Sequence, residues 1–263
     1  MPVQKTEAIV LGHYSLGEAD RIIVFHTKDF GGVRAVARGA KKAKSRLCGR
    51  LEILTYGHLV YYERPEKDLH VINSFDIIES FQVLREDLLK MAYCSYLAEL
   101  IQQAEFLDDP DSDSFSLLLD VMFMMKAADD PEILARIFEI RLLTSAGLSP
   151  QLDSCVACSG DIGNAAVTGF SIPNGGILCS KCINTPGYKP VISISRGTVE
   201  LMKTMQRASL DLMPKLRILE AGRGELKKIL SNFISFHMDS KRFRSLDFLE
   251  SIEKDIYQSL GTS

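Results

Sequence analysis

Short apolar segments separated by turn residues occupy the first 80 positions of the chain. Five of them are rich in Val, Ile, Tyr or Phe and have the length of strands: 3–12, 21–27, 33–39, 51–63 and 69–79. Asp29-Phe30-Gly31-Gly32 supplies a hairpin turn, because glycine adopts positive φ without strain. Five consecutive short strands predict a small antiparallel barrel of the OB type over residues 1–80.

From Val83 onward the apolar residues recur at intervals of three and four, which is the period of a helix face. One helix is predicted over 83–107 and a second over 115–128. A third begins after the capping residue Asp130, has Pro131 in its first turn and ends at Gly147. Later helices are predicted at 196–210, 223–238 and 246–257.

Residues 150–190 show neither the alternation typical of strands nor the three-to-four spacing typical of helices, and they are rich in Gly, Pro, Ser, Asn and Cys. We interpret this stretch as an insert between helices that a bound metal ion holds together. The predicted class is α+β, with an OB-type barrel at 1–80, an all-helical domain formed by 81–150 and 190–263, and a zinc-binding insert at 151–189.

Two CxxC pairs stand in the insert: Cys155 and Cys158, then Cys179 and Cys182. Two residues between thiols allow both sulfurs to face one ion, and the separation of the pairs fits a tetrathiolate zinc site. Four protein ligands leave no coordination position open for water, so the predicted role is structural. A regulatory dithiol is the alternative reading of either pair alone.

The net charge of −3 is distributed unevenly along the chain. Residues 1–80 hold 12 Lys/Arg and 10 Asp/Glu, whereas residues 81–150 hold 5 and 13. This asymmetry favours an acidic or nucleic-acid partner that binds away from the middle segment.

The start of the sequence has no signal-peptide pattern, and no apolar run would span a bilayer, so we expect a cytoplasmic, nucleoid-associated protein without a membrane partner.

A basic run between Gly32 and Leu51 contains no acidic residue. Such clusters neutralise phosphates without reading sequence, and OB-type barrels bind single strands through a basic groove with aromatic platforms. A solvated loop is the competing interpretation, and most of the aromatic residues suit the barrel core equally well. The predicted DNA-binding residues are Arg34, Arg38, Lys41, Lys42, Lys44 and Arg46; Arg50 completes the run, and the candidate platforms are Tyr14, Phe30, Tyr56, Tyr61 and Tyr62.

Signatures of catalysis are missing from the sequence. It contains no GxxxxGK[ST] loop, no HExxH and no convincing Ser/His/Asp set. We therefore predict no catalytic residue and no conventional enzymatic activity.

The order of parts resembles the RecO family of bacterial DNA repair and recombination proteins. The similarity includes Glu7-Ala8-Ile9-Val10-Leu11 with Gly17-Glu18-Ala19-Asp20-Arg21, and Thr27–Gly31 leading to Val36–Lys42. It continues with Phe170-Ser171 and Gly175-Gly176 before Cys179, and ends with Ser245–Leu249. Some members of that family have lost zinc ligands, whereas this sequence keeps all four cysteines.

The resemblance implies a recombination mediator. Such a protein binds single- and double-stranded DNA, anneals complementary strands without ATP, and helps load RecA onto strands covered by single-strand-binding protein. RecR is the implied partner, joined in many bacteria by RecF. The acidic, apolar tail of single-strand-binding protein would need an apolar groove beside a basic residue, and the sequence offers Arg196, Lys203, Arg217, Arg223 and Lys227 without choosing among them.

Two other functions compete with this interpretation. A zinc-containing adaptor that contacts only proteins would associate with DNA weakly and without salt sensitivity. A thiol oxidoreductase would have metal-free, labile cysteines and would turn over a disulfide substrate.

Overall fold

The computed structural model describes residues 2–42, 44–64, 67–103, 113–162, 167–210, 218, 220–238 and 243–260. The predicted barrel is confirmed as a closed sheet in the order β1-β2-β3-β5-β4. Its strands are β1 (Val3–Leu16), β2 (Asp20–Thr27), β3 (Gly31–Ala37), β4 (Tyr56–Tyr62) and β5 (His70–Glu79).

One pairing departs from the antiparallel prediction, because β3 pairs with β5 in parallel. The long connection after β3 carries the chain to β4, which pairs antiparallel with β1. The antiparallel β4–β5 pair then returns β5 alongside β3 in the same direction and closes the barrel.

Alternate residues of the five strands fill the inside of the barrel. The Phe25 and Phe75 rings lie 5.7 Å apart at its centre. The fourth strand is shorter than the predicted 51–63, because residues 51–55 form turns in which Leu54 has a φ of 72°. Leu51 and Leu54 are nevertheless buried, so their apolar character came from burial in turns and not from a strand.

Seven helices are described, and the predicted first one is divided in two at Asp87. The Asp87 side chain accepts hydrogen bonds from the backbone N–H groups of Leu89 and Lys90, both at 3.1 Å, and so caps a new helix inside the periodic stretch. Residues 104–107, the predicted end of that stretch, lie outside the described residues. The helices are α1 (Gln82–Glu86), α2 (Leu88–Gln103), α3 (Ser114–Ala127), α4 (Pro131–Ser145), α5 (Arg196–Arg207), α6 (Glu220–His237) and α7 (Arg244–Leu260).

A small sheet that the sequence did not predict takes two strands from the predicted insert and one from the start of the later helical region. Its order is β7-β6-β8, with β6 (Val167–Ser171), β7 (Gly176–Leu178) and β8 (Val191–Ser195). Strands of three to five residues are too short to show a period. For this reason β6 and β7 could not be recognised in the irregular sequence of residues 150–190. The capping prediction for α4 is confirmed, since Asp130 accepts a hydrogen bond from the Ile133 N–H and Pro131 follows it.

By packing, the chain forms two compact units. The first comprises residues 1–127 and 243–263, so the barrel shares a unit with α1, α2, α3 and α7. The second comprises residues 128–242 and contains α4, the small sheet, the four cysteines, α5 and α6. The division of the chain into a barrel, a helical domain and a zinc-binding insert, which we made from the sequence, remains a prediction.

Candidate metal and nucleic-acid sites

The first CxxC pair lies in a tight turn that backbone hydrogen bonds hold closed. The Cys155 N–H donates to the Gly160 carbonyl at 3.0 Å, and the Ser159 N–H donates to the Cys155 carbonyl at 2.8 Å. Ser159 adopts a φ of 57°, which turns the chain back on itself. The Val156 N–H donates to the Ile177 carbonyl at 2.9 Å and thereby attaches this turn to β7.

The second pair begins directly after β7. The N–H groups of Cys182 and Ile183 both donate to the Cys179 carbonyl, at 3.0 and 3.1 Å. The two turns approach each other across Gly176, where a Cβ would lie 2.6 Å from the Gln151 carbonyl oxygen. Only glycine permits this close approach, which places both cysteine pairs at one point.

The four cysteine sulfurs form one cluster. All four Sγ atoms lie within 4.8 Å of one another, and Cys158 Sγ is 3.9 Å from Cys179 Sγ. Zinc–sulfur bonds of about 2.3 Å in a tetrahedron place the sulfurs about 3.8 Å apart. The donor set and its spacing therefore fit a bound metal ion, as the sequence predicted for these four residues.

Electrostatics within the cluster favour loss of the first proton at one cysteine. Burial raises the pKa of the Cys155 thiol, but backbone N–H groups of Cys179, Ala157 and Cys158 outweigh it and lower that pKa to about 6. Hydrogen bonds with the Cys179 and Cys158 side chains raise the pKa of Cys182 to about 12. A metal ion must displace the remaining protons, so its affinity falls as the pH falls.

The predicted DNA-binding residues lie on and after β3. Arg34 is exposed on the strand, Arg38 is exposed immediately beyond its end, and the others follow in the turns that lead towards β4. Among the described residues, no carboxylate lies within ion-pair distance of any of the six. Their charge is thus available to an anionic ligand, which the pattern alone could not establish.

Lys41 makes two hydrogen bonds to the β1–β2 hairpin that the sequence did not reveal. Its Nζ donates to the Gly17 carbonyl at 2.7 Å, and its backbone N–H donates to the Ala19 carbonyl at 3.0 Å. Next to it, the Gly39 N–H donates to the Asp20 carboxylate at 2.7 Å. These three bonds join the basic turns to the tip of the β1–β2 hairpin, and no local pattern connects positions 20 residues apart.

The five candidate aromatic platforms differ in solvent exposure. Tyr56 and Tyr61 are 9% and 3% exposed, so they belong to the interior, which agrees with the alternative that most of these residues are core residues. Tyr14 is 60% exposed, whereas Phe30 and Tyr62 are 38% and 37% exposed. Arg50, the seventh cation of the run, is 3.3 Å from the Asp76 carboxylate.

A groove in the second unit lies between the cysteine segment and α5. It has a volume of about 140 Å³, and its lining is mixed: apolar side chains such as Ile177 and Val199 lie beside the carboxylates of Asp153, Asp161 and Glu200. Arg196 and Lys203 also line it, and Lys203 lies 3.0 Å from Glu200. Arg223 instead pairs with Asp130 and Glu132, and Arg217 is outside the described residues.

Comparison with known proteins finds one family along almost the whole chain. Residues 1–81 match the family model described as recombination protein O N terminal, and residues 85–247 match recombination protein O C terminal. The chain is 30% identical over 251 residues to the DNA repair protein RecO of Acetivibrio thermocellus, an alignment that covers 95% of this chain and 97% of that one. It is 32% identical to the DNA repair protein RecO of a Roseiflexus species, covering 99% and 88%.

None of the described helices combines the length and apolar character that a membrane span requires.

Proposed function

This chain belongs to the RecO family of DNA repair and recombination proteins, and we propose that it binds single- and double-stranded DNA and anneals complementary strands without ATP. It would also help load RecA onto single strands covered by single-strand-binding protein. The observation that carries the proposal is the set of exposed cations on and after β3 without carboxylate partners among the described residues.

Annealing of this kind requires a surface that reduces the repulsion between phosphates and leaves the bases accessible. Cations that neutralise phosphates release condensed counterions, and this favours binding to any sequence. The sequence has no phosphate-cradling GxxxxGK[ST] loop, and the proposal needs none. ATP hydrolysis that a point substitution in this chain abolishes would contradict the proposed mechanism.

A salt titration of DNA binding tests the basic surface. Lys42, Lys44 and Arg46 are changed together to Ala, and Lys41 is kept because it holds the turns to the hairpin. Each lost phosphate contact removes about 0.7 from the salt slope for single strands, so loss of two or three contacts should flatten it by roughly 1.5 to 2. Binding should weaken about equally for all sequences.

The matched control removes three exposed lysines elsewhere, Lys67, Lys189 and Lys228, and so changes the net charge by the same amount. It should bind DNA with an unchanged slope. If the basic-turn variant is folded and keeps both affinity and slope, the DNA site lies elsewhere. Weak, salt-insensitive binding by the unaltered protein would favour the adaptor function.

We propose that the metal held by Cys155, Cys158, Cys179 and Cys182 is zinc. Four thiolates at this spacing suit its size and tetrahedral preference, and they leave no site for a reacting water. Zinc would supply a structural cross-link at this point. Elemental analysis of protein purified without chelator should find one zinc per chain, and a disulfide within either pair would contradict the assignment.

The proposed protein partners are single-strand-binding protein, RecR and RecF, with RecA affected indirectly. We assign the tail of single-strand-binding protein to the groove beside α5, whose lining combines apolar side chains and three carboxylates with two cations, Arg196 and Lys203. Arg196→Ala should then weaken binding of a tail peptide in a fluorescence titration. Unchanged affinity in Arg196→Ala would remove the groove from consideration.

A further inference from the structure

The outer surface of the barrel carries a row of side chains across three strands. Tyr14 of β1 lies opposite Ile22 of β2, and Ile22 lies opposite Val36 of β3. Residues opposite each other on neighbouring strands share a face. The neighbouring pair of Ile23 and Ala35 belongs to the barrel core, so the row containing Tyr14 faces outward.

Helices of the same unit cover one half of this outer surface. Ile9 lies opposite His26, and both are almost fully buried, at 0% and 3% exposure. His26 Nε2 is 2.9 Å from Ser114 Oγ on α3. Gln102 of α2 donates to the Leu11 carbonyl at 3.1 Å, so α2 covers the next part of β1.

The other half of the outer surface is exposed at Tyr14, Arg34 and Arg38, and half-buried at Ile22, whereas Val36 between the two arginines is 8% exposed. We call this region the open face and define it by Tyr14, Ile22, Arg34 and Arg38. Neighbouring strands lie about 4.8 Å apart, so the backbones of Tyr14 and Val36 are separated by about 10 Å. Arg34 and Arg38 are each two residues from Val36, which is about 7 Å along β3. The backbone positions of Tyr14 and of each arginine are thus about 12 Å apart, and neither arginine has a carboxylate partner among the described residues.

We infer that a DNA single strand crosses the open face with one base stacked on Tyr14. The inference rests on the proposed function and deepens it, because it separates the group that binds bases from the groups that bind phosphates. A base in a single strand has a free π face, and stacking on an aromatic side chain is independent of sequence. A duplex keeps its bases stacked on one another, so it can use the arginines but not the ring.

The covered half of the barrel restricts the path of the strand. Because α2 and α3 occupy the surface around Leu11 and His26, the strand must cross the open face on the side of the β1–β2 hairpin tip and the basic turns. The bond between Lys41 and Gly17 fixes those two parts to each other. Tyr14 is therefore held in position relative to the phosphate-binding cations without help from the ligand.

A tryptophan substitution tests the stacking directly, because the chain contains no tryptophan. In Tyr14→Trp, single-stranded oligonucleotides should quench the only tryptophan emission, since the indole stacks on a base. A duplex of the same sequence should bind with little quenching. Phe248→Trp, on an exposed position of α7, is the matched control and should be quenched by neither.

Affinity measurements give a second readout. Tyr14→Ala should weaken single-strand binding roughly 5- to 30-fold, equivalent to about 1–2 kcal/mol, with the salt slope unchanged. Tyr14→Phe should retain the affinity, and duplex binding should be the same in all three proteins. Melting temperatures confirm that the variants are folded, which is expected for a side chain that is 60% exposed.

The outcomes separate this inference from the function on which it rests. If the unaltered protein binds no DNA, both are wrong. If it binds DNA but Tyr14→Ala has no effect, or weakens single strands and duplexes alike, only the stacking inference is wrong. Quenching of Tyr14→Trp by an acidic peptide, with none by single strands, would instead make the open face a protein-docking surface and would also overturn it.

Discussion

Thirteen buried side chains fill the barrel, whereas the cysteine segment, residues 151–183, is centred on three buried residues, Cys155, Leu178 and Cys179. Burial of apolar area stabilises the first region, at about 25 cal/mol for each Å² removed from water. Apolar burial also occurs in the second region, where Phe170 packs on Phe233 of α6. The cluster around the two CxxC pairs, however, contains three buried residues, and two of them are proposed metal ligands. We therefore expect apolar burial to stabilise the barrel and the proposed metal to stabilise the segment around the four cysteines.

Removal of the metal should separate the two regions most strongly. Structural zinc in small sites contributes an apparent 10–16 kcal/mol to folding, so Cys179→Ser should unfold the cysteine segment locally. Hydrogen exchange should show loss of protection in residues 151–183, with β1–β5 still protected. Cys48→Ser is the control, because this exposed cysteine stands outside the cluster. Equal loss of protection in the barrel would show that the metal stabilises both regions.

A core substitution should produce the opposite pattern. Phe75 is 1% exposed and packs on Phe25, so Phe75→Ala should cost about 3–5 kcal/mol of unfolding free energy in urea titrations. The folded variant should still contain one metal ion per chain. Phe248→Ala, which removes a ring that is 48% exposed, should stay within about 0.5 kcal/mol of the parent. Loss of metal in folded Phe75→Ala would contradict the independence of the two sites.

Acid should weaken the barrel through His26. Burial lowers the pKa of His26 to about 4 from its ordinary 6.5, so the unfolded chain binds more protons between these values. The contribution is complete above pH 6.5 and is lost progressively as the pH falls towards 4, up to about 3 kcal/mol.

The measurement compares denaturation midpoints from pH 7 to pH 4.5 in the parent and in His26→Gln, whose amide can still bond Ser114. The decline with acid should be smaller in the variant, and the exposed His58→Gln should follow the parent. Parallel curves for the parent and His26→Gln would show that another group causes the acid sensitivity.

The sequence predicted best where one residue type has a single physical role. Four cysteines at fixed spacing located the cysteine cluster, and Asp130 with Pro131 located the start of α4, because capping and the convergence of ligands are local. The β4 boundary was wrong because burial of Leu54 in a turn has the same apolar signature as a strand. The bond from Gly39 to Asp20 was not predictable, since it depends on the hairpin geometry and on no local motif.

Pattern alone also did not distinguish exposed from buried aromatic residues. Tyr14 and Tyr61 occur in similar alternating segments, yet one is 60% exposed and the other 3%. The difference arises from the irregular pairing between Val10 and Gly12, which changes the face on which the later residues of β1 lie. The open face could therefore be identified only from the strand register.

The smallest expected effect on stability comes from substitutions in the basic turns. It tests whether surface charges of the barrel contribute less to folding than its core does. Lys42, Lys44 and Arg46 are exposed and have no carboxylate partner among the described residues, so they contribute little to folding. Their triple Ala variant should unfold within about 0.5 kcal/mol of the parent in urea.

Lys41→Ala should differ, because it removes the bond to the Gly17 carbonyl that joins the turns to the hairpin. It should cost on the order of 1 kcal/mol and increase exchange of the Gly39 and Lys41 amides, which the hairpin tip otherwise binds. If the triple variant proves less stable than Lys41→Ala, the turns are part of the barrel's structure, and a loss of DNA affinity could no longer be assigned to phosphate contacts alone.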